Sequence, residues 1–552
     1  MILPLRAQIS RRRLLASLAV LPPAAAGLAV FGCADSGDEG PDAGGTLRTG
    51  TTLPLSFGLD PHVEVGTGLA IFPRVYGYLL HVDPRDESLL LDHAASVEQP
   101  DETTIIVHLR EDARFHEGSP AAGRAVTSSD AAASILRFRD NALAVSKTWH
   151  TTMLSRLETP DPQTLIVRTN RPYVYSLAAL GGISGGAILP VESIEERYDF
   201  AQRGGGSGPY IARETEPRGT TRIARNAAYF RAPLPYLGEM SWTVFADDGG
   251  KLEAFARGEV DVIVNRDRVE AEETAALHAD VEVAEERSLA WLSLGLRVDR
   301  PPFGDPRVRE ALDLALDRAT LIRQLVAGDA RTLGPMNAHL ADGYWSPPDE
   351  EVAAAQSAAL APSERRARAR TLLEEAGTAG ALVAIQTPDV AQLRDVASAV
   401  RDQLGRVGLA AEVQVLPPLE WFVNFRSGRF ESTLLSHPPY ESPDLPARLY
   451  HSAGVYGDGN TFGFFDAEVD ALVERSWGEA DRAARRETLL AAQRLMLESR
   501  VMLQLFTGRG YTSARGYVRG RRPELPGSLA QYNHEQWIDD AARRGARREG
   551  DN

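Results

Sequence analysis

Cysteine and lysine are nearly absent from this chain of 552 residues. The single cysteine, Cys33, excludes a disulfide within one chain, and the only lysines are Lys147 and Lys251. Arginine therefore carries nearly all of the positive charge, as a GC-rich genome favours. Beyond residue 33 no segment approaches about 18 continuous apolar residues, and no period of about 20 to 50 residues recurs. These absences argue against a membrane-spanning helix and against a solenoid.

Positive charge is also in deficit, because 76 acidic residues face 60 basic ones and the formal net charge is -16. That sign disfavours binding to nucleic acids and to anionic membrane surfaces, so no nucleic acid partner is expected. The histidines are dispersed without an H-x-x-x-H pair, so we expect no protein-only metal site. Residues 204–208 are glycine-rich but lack the Gly-Lys-Ser/Thr ending of a P-loop, so we expect no ATP site and no cofactor.

Residues 1–33 have the pattern of an export signal. Arg6 and the run Arg11-Arg12-Arg13 precede an apolar stretch over residues 14–32, and no acidic residue occurs in this segment. Two prolines interrupt the stretch, which makes it a poor permanent membrane span. Residues 10–15 resemble a twin-arginine signal, although any secretory signal can also carry arginines.

Cys33 lies directly after the apolar stretch, in the sequence Val-Phe-Gly-Cys. This setting resembles a bacterial lipobox, in which the cysteine is lipidated and becomes the mature N-terminus; Phe31 departs from the usual residue. The alternative is an incidental cysteine within a cleaved signal. We expect lipidation at Cys33 and a protein tethered to the membrane outside the cytoplasm, because several hydrocarbon chains on one residue hold firmly. Residues 34–45, rich in Asp, Glu and Gly, are predicted to form a flexible tether.

Strand and helix patterns alternate through the rest of the chain. Strands are expected at residues 382–386 and 411–416, and the segment between them, residues 390–407, has helical periodicity and ends at Gly408. This β-α-β arrangement predicts an α/β fold with a partly parallel sheet. Further helices are expected at residues 305–326, 467–476 and 482–499, and a strand at residues 501–506.

Five motifs in fixed order give the chain a resemblance to a known family. They are Gly-Gly-Thr-Leu at residues 44–47, Arg-Phe-His-Glu-Gly at 114–118, Gly-Ser-Gly-Pro-Tyr at 206–210, Gly-Glu-Val-Asp-Val at 258–262, and the segment from Pro302 to Leu312. The sequence resembles the extracytoplasmic solute-binding proteins of ABC importers, in the peptide and nickel binding family. A longer loop at residues 120–128 departs from the family pattern.

The resemblance implies a two-lobed periplasmic-binding-protein-like α/β fold with a small domain inserted in the first lobe. Ligand is then enclosed between the lobes and presented to membrane permease subunits of an ABC importer, and the protein is a monomer. The expected divisions are the signal at 1–33, the tether at 34–45, the first lobe at 46–80 with 195–287 and 507–540, the inserted domain at 81–194, the second lobe at 288–506, and a frayed tail at 541–552.

The sequence lacks the residue with which peptide binders of this family recognise their ligand. Peptide binders of this family carry an aspartate that pairs with the ammonium group of the peptide, and the matching position here is Pro439. An ammonium group without a compensating charge is costly to enclose, so we expect a small organic solute or a peptide without a free N-terminus. Glu441 is an alternative anchor if the loop is reshaped. The candidate ligand-binding residues are Ser56, Phe57, Asp60, Trp421, His437, Tyr440 and Glu441.

Two other function classes stay open at the level of sequence. Residues 182–186 fit the G-x-S-x-G string of serine hydrolases, but a nucleophile elbow needs a strand before the serine and a helix after it. The sequence predicts the opposite order, a helix over residues 175–180 and a strand over residues 187–190. The second alternative is a sensor or chaperone with the same receptor fold. We expect a binding protein and not an enzyme.

Overall fold

Strands and helices alternate along most of the chain in the computed structural model. The structure describes residues 41, 43–55, 58–63, 68–83, 85–141, 144, 147, 149–182, 185–216, 218–287, 291–337, 339–437, 442–454, 460–522 and 534–550. All structural statements below concern these residues. None of the helices they form is long and apolar enough to cross a membrane.

The strands are numbered here in chain order. They are β1 (Thr46–Thr51), β2 (Gly77–Tyr78), β3 (Leu80–Val82), β4 (Leu89–Leu91), β5 (Ala94–Asp101), β6 (Thr104–Leu109), β7 (Leu154–Asp161), β8 (Thr164–Thr169), β9 (Ala187–Ile188), β10 (Tyr210–Thr215), β11 (Thr220–Arg225), β12 (Glu239–Val244), β13 (Val262–Asn265), β14 (Val281–Arg287), β15 (Trp291–Leu296), β16 (Ala330–Arg331), β17 (Leu382–Pro388), β18 (Ala410–Leu416), β19 (Ser432–His437), β20 (Met502–Arg515), β21 (Val518–Arg519) and β22 (Trp537–Ile538).

The α-helices are numbered in the same way. They are α1 (Gly68–Val75), α2 (Ser128–Asp140), α3 (Ser176–Leu180), α4 (Val191–Glu195), α5 (Phe200–Arg203), α6 (Asp248–Ala256), α7 (Arg268–Ala275), α8 (Pro306–Ala315), α9 (Arg318–Leu325), α10 (Asp349–Ala355), α11 (Pro362–Glu375), α12 (Ala391–Gly405), α13 (Pro418–Arg426), α14 (Asp444–Arg448), α15 (Ala467–Gly478), α16 (Arg482–Ser499) and α17 (Asp540–Gly550). A π-helical turn covers Trp149–Met153, and a 3₁₀ turn covers Leu340–Gly343.

One large sheet has the strand order β10-β11-β12-β1-β13-β20-β15-β19-β17-β18. The long strand β20 divides it into two halves. Its C-terminal part pairs antiparallel with β13 and β14, and its N-terminal part pairs antiparallel with β15. We call residues 46–80 and 195–287, which contain β1 and β10–β14, the first half, and we call residues 291–506 the second half. Strand β20 passes from one half to the other.

The predicted β-α-β unit is present in the second half. Strands β17 and β18 are parallel neighbours, and α12 connects them. The helix buries Leu393, Val396, Val400 and Leu404 against the sheet, at the spacing that places residues on one helical face. The prediction from periodicity is therefore confirmed to within two residues at each boundary.

Residues 81–194, which we call the inserted region, contain a separate antiparallel sheet with the order β5-β6-β8-β7. Aspartates shape its tight turns, because the carboxylates of Asp101 and Asp161 accept hydrogen bonds from the amides of Thr103 and Gln163. Helix α2 packs on β7 and β8.

Three large apolar cores stabilise the molecule. One lies in the first half and includes Tyr76 and Trp242, and another lies in the second half and includes Leu312 and Val400. The third core joins the inserted region to the second half, because side chains such as Trp149 belong to the same buried cluster as Trp345.

The C-terminal residues depart from the prediction of a frayed tail beginning at residue 541. Asp540–Gly550 form α17, and the Arg543 guanidinium lies 3.4 Å from the buried carboxylate of Asp261. Ala546 packs against the core of the first half. The charged composition of the segment predicted a solvated tail, whereas these two contacts hold the helix against the first half.

Candidate ligand cleft

A cavity of about 150 Å³ lies where the two halves of the sheet meet. Three strands end around it, namely β13 of the first half and β17 and β19 of the second half. Ligands of open α/β sheets bind outside the carboxyl ends of the strands, so this position is the one that the topology favours. The lining residues come from both halves and are Arg266, Asp267, Trp291, Leu292, Val326, Asp329, Gln392, Ser436, Phe506, Gly508 and Arg509.

The charged groups around this cavity are of both signs. Arg266 pairs with Asp267 at 3.0 Å and with Asp248 at 3.1 Å. Across the cavity, Asp329 accepts a hydrogen bond from the Tyr511 hydroxyl, and burial together with this contact raises the pKa of Tyr511. Enclosed sites for small organic ligands have about 300–1,000 Å³, so the cavity has room for one part of such a ligand.

His437 ends β19 beside this cavity, and its ring is buried. The imidazole stacks on Trp291 at a centroid distance of 4.4 Å, and its Nε2 lies 2.7 Å from the hydroxyl of Ser293. Burial lowers the pKa of His437 to about 3, so the ring is neutral at physiological pH. The neutral, stacked imidazole can therefore contribute an aromatic surface and one polar contact to this part of the molecule, but no positive charge.

The polar contacts continue along the same face of the second half. The Trp291 indole donates to the side-chain oxygen of Gln504 at 3.0 Å, and the Gln504 amide donates to the Tyr450 hydroxyl at 3.1 Å. All three side chains are buried. This chain of hydrogen bonds fixes the orientation of Trp291, which lines the cavity.

Trp421 lies on α13, next to the same sheet. Its indole nitrogen donates to the Thr433 hydroxyl at 2.9 Å, and its ring is parallel to that of Phe425 at 5.7 Å. The side chain is half-buried and packs against the third core. Its proposed contact with ligand stays a prediction.

Asp60 lies in the loop after β1, where its carboxylate has close partners. Arg137 of α2 donates to both oxygens, at 2.9 and 2.6 Å, and the amide of His62 donates to Oδ1 at 3.0 Å. Burial alone would raise the pKa of Asp60, but the bonds from Arg137 outweigh it and lower the pKa. Asp60 thus ties this loop to the inserted region, and ligand binding by Asp60 stays a prediction.

The other predicted site residues lie outside the described residues. These are Ser56, Phe57, Tyr440 and Glu441, and Cys33 and Pro439 also lie there. The sequence analysis did not predict the cavity-lining residues Trp291 and Gly508, which lie near the boundaries between the predicted lobes at residues 287/288 and 506/507. The signal that could have found this wall is a tryptophan, Trp291, close to a predicted lobe boundary.

The G-x-S-x-G segment has the element order opposite to that of a nucleophile elbow. Helix α3 precedes it and β9 follows it, as predicted, and Ser184 itself lies outside the described residues. In the described part of the chain, no group of three metal-ligating side chains comes together.

Comparison with models of known protein families identifies the family of this chain. The model for the bacterial extracellular solute-binding proteins, family 5 Middle, matches residues 90–460, which is more than half of the sequence. The chain belongs to this family. The matched region contains four of the five motifs, namely those at residues 114–118, 206–210, 258–262 and 302–312.

Curated relatives share part of the length of this family-5 chain. The glutathione-binding protein GsiB of Escherichia coli O1:K1 / APEC is 24% identical over 320 residues. The match covers 57% of this chain and 59% of GsiB, so it spans less than two thirds of that relative.

Solved structures resemble the family-5 chain over nearly all of its length. The periplasmic binding protein DppA from Helicobacter pylori, in complex with the peptide STSA, has a TM-score of 0.77 at 17% identity and covers 90% of this chain and 99% of its own. MoaA from A. tumefaciens R10, in complex with mannopinic acid, has a TM-score of 0.76 at 22% identity with the same coverage. The fold is therefore the two-lobed periplasmic-binding-protein fold.

Proposed function

We propose that this chain is the substrate-binding component of an ABC import system. It captures a peptide-like or other small organic solute between two lobes and delivers it to membrane permease subunits. The observation that carries the proposal is the cavity at β20, because its walls come from both halves of the sheet. A ligand that contacts both halves favours their closed arrangement, and closure is the signal that a permease can read.

The lobes of this proposal follow the two halves of the sheet. The first lobe comprises residues 46–80, 195–287 and 507–540, the second comprises residues 288–506, and residues 81–194 are inserted in the first. The pairing of β20 with strands of both halves supports this division. The passage of the chain from one half to the other within β20 then acts as a hinge.

The proposed ligand is a small organic solute or a peptide that lacks a free N-terminus. Pro439 takes the place of the family's anchoring carboxylate, so a buried ammonium group has no partner at that position. The relatives are described with varied ligands, namely glutathione, the peptide STSA and mannopinic acid. Such variety supports recognition by the local residues of each cleft rather than by one shared anchor.

Native mass spectrometry of the gently purified full chain, with scattering before and after ligand removal, tests the proposal. We expect a stoichiometric bound solute and a smaller radius of gyration with it than without it. A bound mass that is hydrolysed on standing contradicts a pure binding function and supports an enzyme. An unchanged scattering curve at saturation contradicts closure.

Export and lipidation at Cys33 form the second part of the proposal. The arginine-rich start, the short apolar stretch and the lone cysteine support a protein held outside the cytoplasm by a lipid on Cys33. Radiolabelled palmitate should enter the wild-type chain in a bacterial host and should not enter Cys33→Ser. Equal labelling of the variant contradicts lipidation at this residue.

A further inference from the structure

Lys251 is one of only two lysines in the chain, and its side chain is 1% exposed. It lies near the start of α6 in the first half. Three oxygen atoms surround its Nζ: Oδ1 of Asp248 at 2.9 Å, Oε1 of Glu270 at 2.9 Å and the carbonyl oxygen of Val264 at 2.8 Å. A compact ammonium group with three protons suits such a set, whereas a planar guanidinium does not. Lys251 therefore ties together the starts of α6 and α7 and the end of β13.

The two carboxylates that hold Lys251 also hold Arg266. The second oxygen of Asp248, Oδ2, accepts a hydrogen bond from Nη1 of Arg266 at 3.1 Å. The second oxygen of Glu270 accepts from the backbone amide of Arg266. Each carboxylate thus has one oxygen toward Lys251 and the other toward Arg266. One buried cation therefore organises the groups that fix both the main chain and the guanidinium of Arg266.

Arg266 and Asp267 form part of the cavity wall, directly after β13. Nε of Arg266 donates to the carboxylate of Asp267 at 3.0 Å, and this carboxylate caps α7 by accepting from the amide of Glu270 at 2.9 Å. Within the described residues, Nη2 of Arg266 has no hydrogen-bond partner, and the side chain is 53% exposed. Nη2 can therefore donate to an oxygen atom of a molecule in the cavity.

The position of this guanidinium depends on the charge of Lys251. Without the ammonium group, Asp248 and Glu270 lose their common cation, and Glu270 is 1% exposed, so water does not replace it. Arg266 is already bonded to both residues. We expect its guanidinium to move toward the two carboxylates and away from the cavity, because a buried charge without a partner is costly.

We propose that Arg266 is a ligand-binding residue that donates from Nη2 to an oxygen atom of the solute, and that Lys251 is the positioning residue that keeps it at the cavity wall. The contact with the solute rests on the proposed binding function, because it supposes that the solute occupies this cavity. The positioning of Arg266 by Lys251 does not rest on it. The two parts are therefore tested separately.

Reaction of the full chain with phenylglyoxal, an arginine reagent, tests the positioning without solute when mass spectrometry follows each arginine. Arg257, which follows α6, is the internal control, because its side chain is also 53% exposed but pairs with Glu253 and Glu259. We expect Arg266 to react at least about threefold more slowly in Lys251→Met than in the wild type, and Arg257 to react equally fast. Equal rates for Arg266 in the two proteins overturn the positioning role.

Asp248→Asn tests the same network in case Lys251→Met fails to fold. The asparagine keeps one oxygen for Lys251, but its amino group cannot accept a hydrogen bond from Nη1 of Arg266. We therefore expect Arg266 to react about twofold faster or more, a change of opposite sign to that in Lys251→Met. An unchanged rate in a folded Asp248→Asn overturns the role of the network.

A double-mutant cycle tests the contact with the solute that co-purifies with the wild type, added back to the stripped full chain. Arg266→Met should weaken binding about tenfold or more, and Lys251→Met about fivefold or more. If Lys251 acts through Arg266, Lys251→Met should weaken binding by less than about twofold in a chain that already carries Arg266→Met. A lysine with a merely structural role lowers the affinity by the same factor in both backgrounds, which overturns the proposal. Lys147→Met, the same change at the other lysine, should leave the affinity unchanged.

The two experiments separate failure of this proposal from failure of the import function. Slower modification of Arg266 in Lys251→Met, with a wild type that binds no solute, supports the positioning and contradicts the import function. Solute binding by the wild type that Arg266→Met does not weaken supports the import function and overturns the contact of Arg266 with the solute.

Discussion

Burial lowers the pKa of several histidines in this molecule, and His150 is the clearest case. It lies in the π-helical turn between the rings of Phe138, at 4.7 Å, and Trp149, at 4.9 Å. Both ring nitrogens lack a hydrogen-bond partner in the described structure, and burial lowers the pKa of His150 to about 3. The His150 ring thus packs as an aromatic core side chain and also carries a titratable group.

His150→Phe should make the protein more resistant to acid. The unfolded histidine titrates near its ordinary pKa of about 6.5, so the unfolded state binds one more proton than the folded state between about pH 6.5 and pH 3. The stability contributed by the neutral ring is complete above about pH 6.5 and falls as the pH falls. At about pH 4.5 the wild type should therefore lose roughly 2–3 kcal/mol that His150→Phe retains.

Urea unfolding near neutral pH and at about pH 4.5 measures this difference. At neutral pH the variant should be about as stable as the wild type, because a phenyl ring fits between the same two rings. The idea fails if the stability of both proteins decreases equally on acidification, since His150 then remains neutral in the unfolded chain or protonated in the folded one.

At the scale of elements, Asp261 holds together the strands at the centre of the first half. The carboxylate accepts hydrogen bonds from the amide, Nε and Nη2 of Arg48 in β1, and from the hydroxyl of Tyr517. Asp261 is fully buried and directly precedes β13. One side chain therefore links the start of the fold to residues near its C-terminus.

Asp261→Ala should destabilise the protein by about 3–5 kcal/mol, because it leaves partly buried donors without an acceptor. Arg543→Gln is the matched control: it removes a longer contact of 3.4 Å to the same carboxylate and should cost about 1 kcal/mol or less. Denaturant unfolding measures both. A cost for Asp261→Ala no larger than that for the control contradicts the central role of this carboxylate.

The sequence predicts an element well when the element's own residues set its type and its ends, and poorly when distant strands set them. Helix α12 has its own apolar periodicity and a glycine stop, and its prediction is confirmed. Strand β20 was expected only over residues 501–506 but extends to Arg515, because pairing with β13 and β14 fixes its glycine-containing remainder. The contact of His437 with Ser293 spans 144 residues, a separation that periodicity does not reveal.

At the scale of the whole molecule, the cavity is the place where both halves and the crossing strand meet. Gly508 of β20 lines it, and a Cβ built at this residue finds no atom within 4 Å. A Cβ introduced at this cavity-lining residue therefore meets open space and does not clash with the backbone. Gly508 offers a way to fill the cavity while leaving the pairing of β20 intact.

Gly508→Phe should fill the cavity and weaken binding of the co-purifying solute by more than about tenfold, a loss of about 1.4 kcal/mol, because the ring and the solute cannot share the space. Gly508→Ala is the matched control: a methyl group occupies little of the volume, so affinity should change by less than about threefold. Thermal unfolding of both variants near the wild-type temperature ensures that the fold is intact. Calorimetric titration of the stripped protein measures the affinities. Unaltered affinity in a folded Gly508→Phe places the solute elsewhere and separates this cavity from the binding site.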